Sequence, residues 1–193
     1  MSDGLPIPGP DGLLRCPWGL SAADYVGSHD GEWGRPVRDD NGLFERLCLE
    51  AFQSGLSWLT ILRKRENFRA AFAGFDIETV AGFGPADEKR LLADAGIVRN
   101  RAKIEAAIGN ARAAVALPGG LTELMWKHAD DSKPAPVRLA DVPPSTAGSK
   151  ALSKELRAHG FTFTGPVTVY AAMQACGLVN DHLADCWFRS APV

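Results

Sequence analysis

The chain has 193 residues, enough for one large domain or two small ones around a sizeable core. Its 21 basic and 23 acidic residues leave a formal charge of −2, which argues against nucleic-acid binding by bulk charge alone while leaving room for a local basic patch. No apolar run approaches the ~20 residues of a membrane span, and MSDGLPIPGPDGLLR has neither the basic start nor the apolar stretch of a signal peptide. A cytoplasmic protein with reduced cysteines is the expectation.

Residues 1–14 are rich in Pro and Gly and read as a flexible tail. Ser21 can cap a short helix over Ala22–Val26, and Gly27 to Arg38 reads as a Gly-rich loop carrying His29 and Trp33. Asp39, Asp40 and Asn41 offer caps for a helix from about Leu43 to Ser54, whose Phe44, Leu47, Cys48, Ala51 and Phe52 follow helical spacing. Gly55 stops it, and the next helix runs from about Trp58 to Phe72 with RKREN on its polar side. Asp76 caps Ile77–Ala81, Pro85 opens a helix ended by Gly96, and a longer helix after Ile97 runs to Pro118. Helices are also expected around Leu121–His128, from Ser145 or Thr146 to Ala158, and from Pro166. FTFTG and VTVY are too short and too close to helical runs to count as strands, so the expected fold class is all-α.

Three constellations carry possible chemistry. Cys16, His29, His182 and Cys186 form a two-Cys, two-His set, with His182 and Cys186 on one helical face. Such a set would fill a closed tetrahedral metal site and staple the chain ends, but the pairs are far apart in sequence, spacing alone is weak evidence, and two buried thiols with two ordinary histidines are the alternative. Cys48 and Cys176 sit in apolar runs and read as core; His128 and His159 read as exposed. The segment DAGIVRNRAKI has the layout of a helix-hairpin-helix, whose backbone amides can take a phosphate, with Arg99, Arg101 and Lys103 adding charge. A plain αα-hairpin fits as well. Trp18, Tyr25, Trp33 and Trp58, with Glu50 at the border of an apolar helix face, could hold a cationic ring. Core packing is the alternative for each ring; for Glu50 it is a solvated helix acid, or an ion pair with Arg46 or a distant arginine.

The runs RCPWG, SHDGEWGRPV, LFERLCLEAFQSGLSWLTILRKRENFRAAF, DAGIVRNRAKIEAAIGNARA and MQACGLVNDHLADC, in this order from Arg15 to Cys186, resemble 3-methyladenine DNA glycosylase I. The likeness is weakest in the N-terminal tail and in Pro118–Pro144. It implies the helix-hairpin-helix glycosylase fold, with residues 15–42 plus 121–193 as a discontinuous zinc-containing lobe and 43–120 as the hairpin lobe. It implies one structural zinc (Zn2+) on Cys16, His29, His182 and Cys186, and a base pocket with Glu50 as the main catalytic residue and Trp58, Tyr25, Trp18 and Trp33 around the base. DNA-backbone contacts are expected at Gly96, Arg99, Arg101 and Lys103. The implied activity is that of a monofunctional enzyme, a monomer by default, which hydrolyses the N-glycosidic bond of 3-methyladenine in double-stranded DNA after base flipping and releases the free base. A zinc-stapled protein that binds lesions without cleaving is the alternative, and a hydrolase with catalytic zinc a third reading.

Two absences point the same way. Strand-cleaving relatives carry a lysine four residues after the first hairpin glycine, where this chain has Asn100, and no aspartate occurs between Ala95 and Ala129. Neither a Schiff base nor an aspartate-driven step is therefore expected. One departure stands out: the family's pocket tyrosine before the first zinc histidine is replaced by Ser28, with Leu20 or a neighbouring aromatic left to fill the gap.

Overall fold

The computed structural model describes residues 3–130 and 132–190. Two short strands, β1 (Ile7–Pro8) and β2 (Leu14–Arg15), pair antiparallel near the N-terminus. The helices follow as α1 (Ala23–Gly31), α2 (Asp40–Gln53), α3 (Trp58–Ala71), α4 (Ile77–Ala81), α5 (Pro85–Ala93), α6 (Arg101–Val115), α7 (Gly120–Trp126), α8 (Ala147–Ala158) and α9 (Pro166–Ala175).

Helix α2 is the hub. Its unbroken run from Leu47 to Phe52 is buried on all sides, because α3, α6, α7 and α9 each pack on it. Phe52, Phe68, Phe72 and Phe75 stack through the core beside it, with Phe72 and Phe75 nearly parallel at 5.5 Å. One apolar cluster runs from Leu43 to Val179, and a small separate one joins Cys16, Leu183, Cys186 and Phe188.

Three polar residues at the start of this hub cap three different helices. Asp39 accepts from the Gly42 amide at 2.7 Å and starts α2. Asp40 accepts from the Leu121 and Thr122 amides at 3.2 and 2.8 Å and starts α7. Asn41 accepts from the Ile77 amide at 3.0 Å and starts α4, which Asp76 also caps. Each oxygen satisfies amides that a helix start leaves without a partner.

The expected elements differ from the observed ones in three places. The strand pair lies where only a tail was expected; Arg15, 4 % exposed, anchors it through Asp11 and Asp30, each at 2.7 Å. Helix α1 continues through Gly27 to Gly31, where a loop was expected, because burying His29 and Ser28 outweighs the poor helix propensity of two glycines. Finally, α6 begins at Arg101 rather than directly after Ile97, since the Asn100 side chain accepts from the Lys103 amide and sets the first turn there.

Candidate active site

A cavity of about 290 Å³ lies between α2, α9 and the N-terminal segment. Trp18, Tyr25 and Trp33 supply one aromatic wall, and Trp58 stands at the start of α3. Trp18 meets Tyr25 and Trp33 edge-to-face at 5.9 and 5.1 Å. These contacts hold the rings as a rigid frame. The turn into Trp58 is made by Gly55 at φ 81° and by Ser57, which caps α3. Ser28 and Leu20 are absent from the lining: Ser28 is buried inside α1, and Ser21 lines the cavity instead. All four aromatic rings expected from the sequence thus meet at one cavity with Glu50.

Glu50 is 9 % exposed and lines the cavity. Its carboxylate has no hydrogen bond or ion pair among the described residues. Arg46, one turn earlier on α2, is the obvious partner but reaches Glu32 at 3.5 Å. Glu32 also takes both terminal nitrogens of Arg65. Burial opposes the Glu32 charge, yet Arg65 and Arg46 together hold its carboxyl below the usual range. Burial pushes Glu50 the other way, up to about 8, and Arg46 only partly offsets this. A buried acid with no ion-pair partner among the described residues, facing aromatic rings, suits a flat cation with donor hydrogens.

Sequence reasoning missed four polar or small residues of the lining, Ser21, Gln53, Ala171 and Gln174. Gln53 lies one turn after Glu50, so helical spacing could have found it. Ala171 and Gln174 come from α9, which nothing in the sequence places beside α2.

The hairpin between α5 and α6 is held from behind. Lys64 donates to the Ala95 and Gly96 carbonyls, each at 3.0 Å, and Asn67 also reaches Gly96. Arg99 and Arg101 are exposed, Arg101 beside Glu105 at 3.7 Å. Lys103 corrects an expectation: it is 8 % exposed and its ammonium donates to the Phe52 and Ser54 carbonyls at 2.8 and 2.5 Å. It caps the end of α2, with two of its three ammonium hydrogens held by those carbonyls.

Cys16, His29, His182 and Cys186 converge, all buried, with ligand atoms within 4.8 Å of one another. The Sγ–N separations are 3.5 Å (Cys186 to His29 Nε2), 3.6 Å (Cys186 to His182 Nδ1) and 3.8 Å (Cys16 to His182 Nδ1). A tetrahedral ion with metal–sulfur bonds of ~2.3 Å and metal–nitrogen bonds of ~2.05 Å puts such atoms about 3.6 Å apart. The outer nitrogens are already spoken for: His29 Nδ1 meets Asp30 at 2.7 Å and His182 Nε2 meets the Trp33 carbonyl at 3.0 Å. Both rings thus turn a bare nitrogen inward, as metal ligands do. Gly34, at φ 82°, allows the approach, since a Cβ there would lie 2.9 Å from His182 Nε2. The cluster could bind a metal ion, and Trp33 joins it directly to the aromatic wall of the cavity.

A family model described as methyladenine glycosylase matches residues 18–190. The chain belongs to the methyladenine glycosylase family. Among its relatives, the DNA-3-methyladenine glycosylase 1 of Escherichia coli is 45 % identical over 179 residues, covering 90 % of this chain and 96 % of the relative. The DNA-3-methyladenine glycosylase of Haemophilus influenzae is 43 % identical, over 89 % and 96 %. A crystal structure of a 3-methyladenine DNA glycosylase I superposes with a TM-score of 0.86 at 43 % identity, over 92 % of this chain and all of the other. Like those structures, this family member is mostly helical. No helix among the described residues is long and apolar enough to cross a membrane.

Proposed function

We propose that this protein is a monofunctional DNA glycosylase that releases 3-methyladenine from alkylated DNA. The observation that carries this reading is the unpaired, buried Glu50 carboxylate in a cavity walled by indole and phenol rings, in a chain of this family. The named relatives act on, or are described with, this base.

A base in a duplex is out of reach, so the nucleotide turns out of the stack into the cavity. The hairpin at Gly96, with exposed Arg99 and Arg101, steadies the DNA backbone. Leu56, 43 % exposed in the turn between the cavity residues Gln53 and Trp58, is placed to fill the gap left in the stack. Trp58 and Tyr25 stack on the ring, with Trp18 and Trp33 behind, while Glu50 accepts hydrogens from the base edge and balances its charge.

Adenine methylated at N3 carries a positive charge in DNA. When the C1′–N9 bond breaks, its electron pair goes to N9 and neutralises the base. Water adds its oxygen to C1′ and gives up a proton, leaving an abasic site and free 3-methyladenine. The leaving group needs no proton, so the protein's share is selection, placement and charge balance. Asn100 offers no amine, consistent with hydrolysis rather than Schiff-base chemistry.

Cys16, His29, His182 and Cys186 would hold one zinc ion. With four protein ligands there is no open position for water, so the ion would shape the N- and C-terminal segments and seat Trp33 rather than enter the reaction. On this reading residues 15–42 with 121–193 form the metal-holding lobe and 43–120 the hairpin lobe.

The test is direct. Incubated with methylated duplex DNA, the protein releases 3-methyladenine, and the DNA accumulates alkali-labile abasic sites without strand cleavage. Tight lesion binding with no base released would instead support the non-cleaving alternative.

A further inference from the structure

Gln174 reaches the cavity from α9, and its amide is not free to turn. Its Nε2 donates to Asp181 Oδ2 at 2.7 Å. Asp181 is fixed in turn by the Tyr170 hydroxyl, which donates to the same oxygen at 2.5 Å. A carboxylate only accepts, so the amide must turn its NH₂ toward Asp181 and its carbonyl away. That carbonyl oxygen has no hydrogen-bond partner among the described residues, yet it is not among the buried atoms left unsatisfied. It is therefore open to the cavity that Gln174 lines. Gln53, on the same lining, has no such anchor, and its amide can present either end.

We propose that Gln174, oriented by Asp181 and Tyr170, is a specificity-determining residue that reads the amino group of the bound purine. With the ionised Glu50 it gives the cavity two acceptors, one of them fixed, and no fixed side-chain amide donor. A base that carries hydrogens at the exocyclic position of its six-membered ring satisfies them. A base with a carbonyl oxygen there sets acceptor against acceptor and leaves buried groups unpaired, which is costly. Asp181 and Tyr170 are positioning residues: they do not touch the base and act through the Gln174 amide. This inference rests on the base-pocket reading given above.

The experiment compares free 3-methyladenine with 3-methylhypoxanthine, which differs in having a carbonyl in place of the amino group. Binding to the intact protein is followed through quenching of indole fluorescence. The wild-type protein prefers 3-methyladenine. Gln174→Met, which keeps the length and removes the carbonyl, lowers the preference ratio by about tenfold, the usual worth of one such hydrogen bond. Asp181→Asn, whose own amide can donate or accept, lets Gln174 turn over, so the ratio falls in the same direction by gain of 3-methylhypoxanthine binding. Tyr170→Phe gives a smaller fall. A structural role alone would weaken both ligands equally, so an unchanged ratio in Gln174→Met and Asp181→Asn overturns the proposal. Should Asp181→Asn fail to fold, Gln174→Met alone decides. If the wild-type protein binds neither base, the pocket reading itself fails, which is a different result.

Discussion

Glu50→Gln lowers kcat/KM for 3-methyladenine release by about 10² or more, the scale seen when one electrostatic partner of a transition state is removed. Shape and volume are retained; the charge is lost and one acceptor oxygen becomes a donor NH₂. The wild-type side chain has no neutralising neighbour, because Glu32 draws off Arg46, the one cation a helical turn away. The loss therefore appears in binding of the cation as well as in turnover. Circular dichroism shows a folded variant that is no less stable. The carboxyl is raised in the folded protein from its usual 4.5 to about 8. Its contribution to stability is thus full below about pH 4.5 and is lost as pH rises through about 8. The neutral amide escapes that loss, so Glu50→Gln unfolds at a higher temperature than the wild type above pH 7. A variant with unchanged turnover would remove Glu50 from its assigned role.

The second large effect is expected at the Cys/His cluster. Cys16→Ala removes one of four converging ligands and leaves His29, His182 and Cys186 around a broken site. The small apolar cluster that joins the chain ends depends on this contact, whereas the main core around α2 does not. Unfolding temperature is expected to fall by on the order of 10 °C, given that each kcal/mol is worth ~2–4 °C at this size. Metal analysis gives one zinc per wild-type chain and little in the variant. A chelator lowers the wild-type midpoint toward that of the variant and leaves the variant unmoved. A Cys16→Ala protein that is fully stable yet inactive would point to a catalytic metal instead.

The runs that reveal the family are mostly scaffold in the fold. In KREN, Lys64 and Asn67 brace the hairpin carbonyls and Arg65 holds Glu32. In IGNAR, Asn110 exchanges two hydrogen bonds with Thr162, and Arg112 caps the Ala81 and Phe83 carbonyls. Local signals were legible because they act within a turn or two. Asp76 caps α4, Thr146 caps α8, and Pro166 opens α9 as spacing suggests. Signals that depend on distant partners were not. Asp40 and Asn41 look like spare caps for α2 and serve α7 and α4 instead. Lys103 looks like a free cation on a basic hairpin and is turned inward onto α2. Gln174 looks like one more polar residue before Cys176, and only the packing of α9 on α2 brings it to the cavity. At Ser28, where the resemblance implies a pocket tyrosine, Ser21, Trp18, Tyr25 and Trp33 form the cavity wall without it.

The central claim is that an unpaired carboxylate in an aromatic cavity selects a purine by its positive charge. It is tested most directly by binding a permanently cationic ligand, adenine methylated at both N3 and N9, across a range of pH. Because the cation favours the ionised acid, the wild-type affinity should rise about tenfold per pH unit up to about 8 and then level, while Glu50→Gln binds weakly with no pH dependence. Equal, pH-independent affinity in the two proteins would contradict the account.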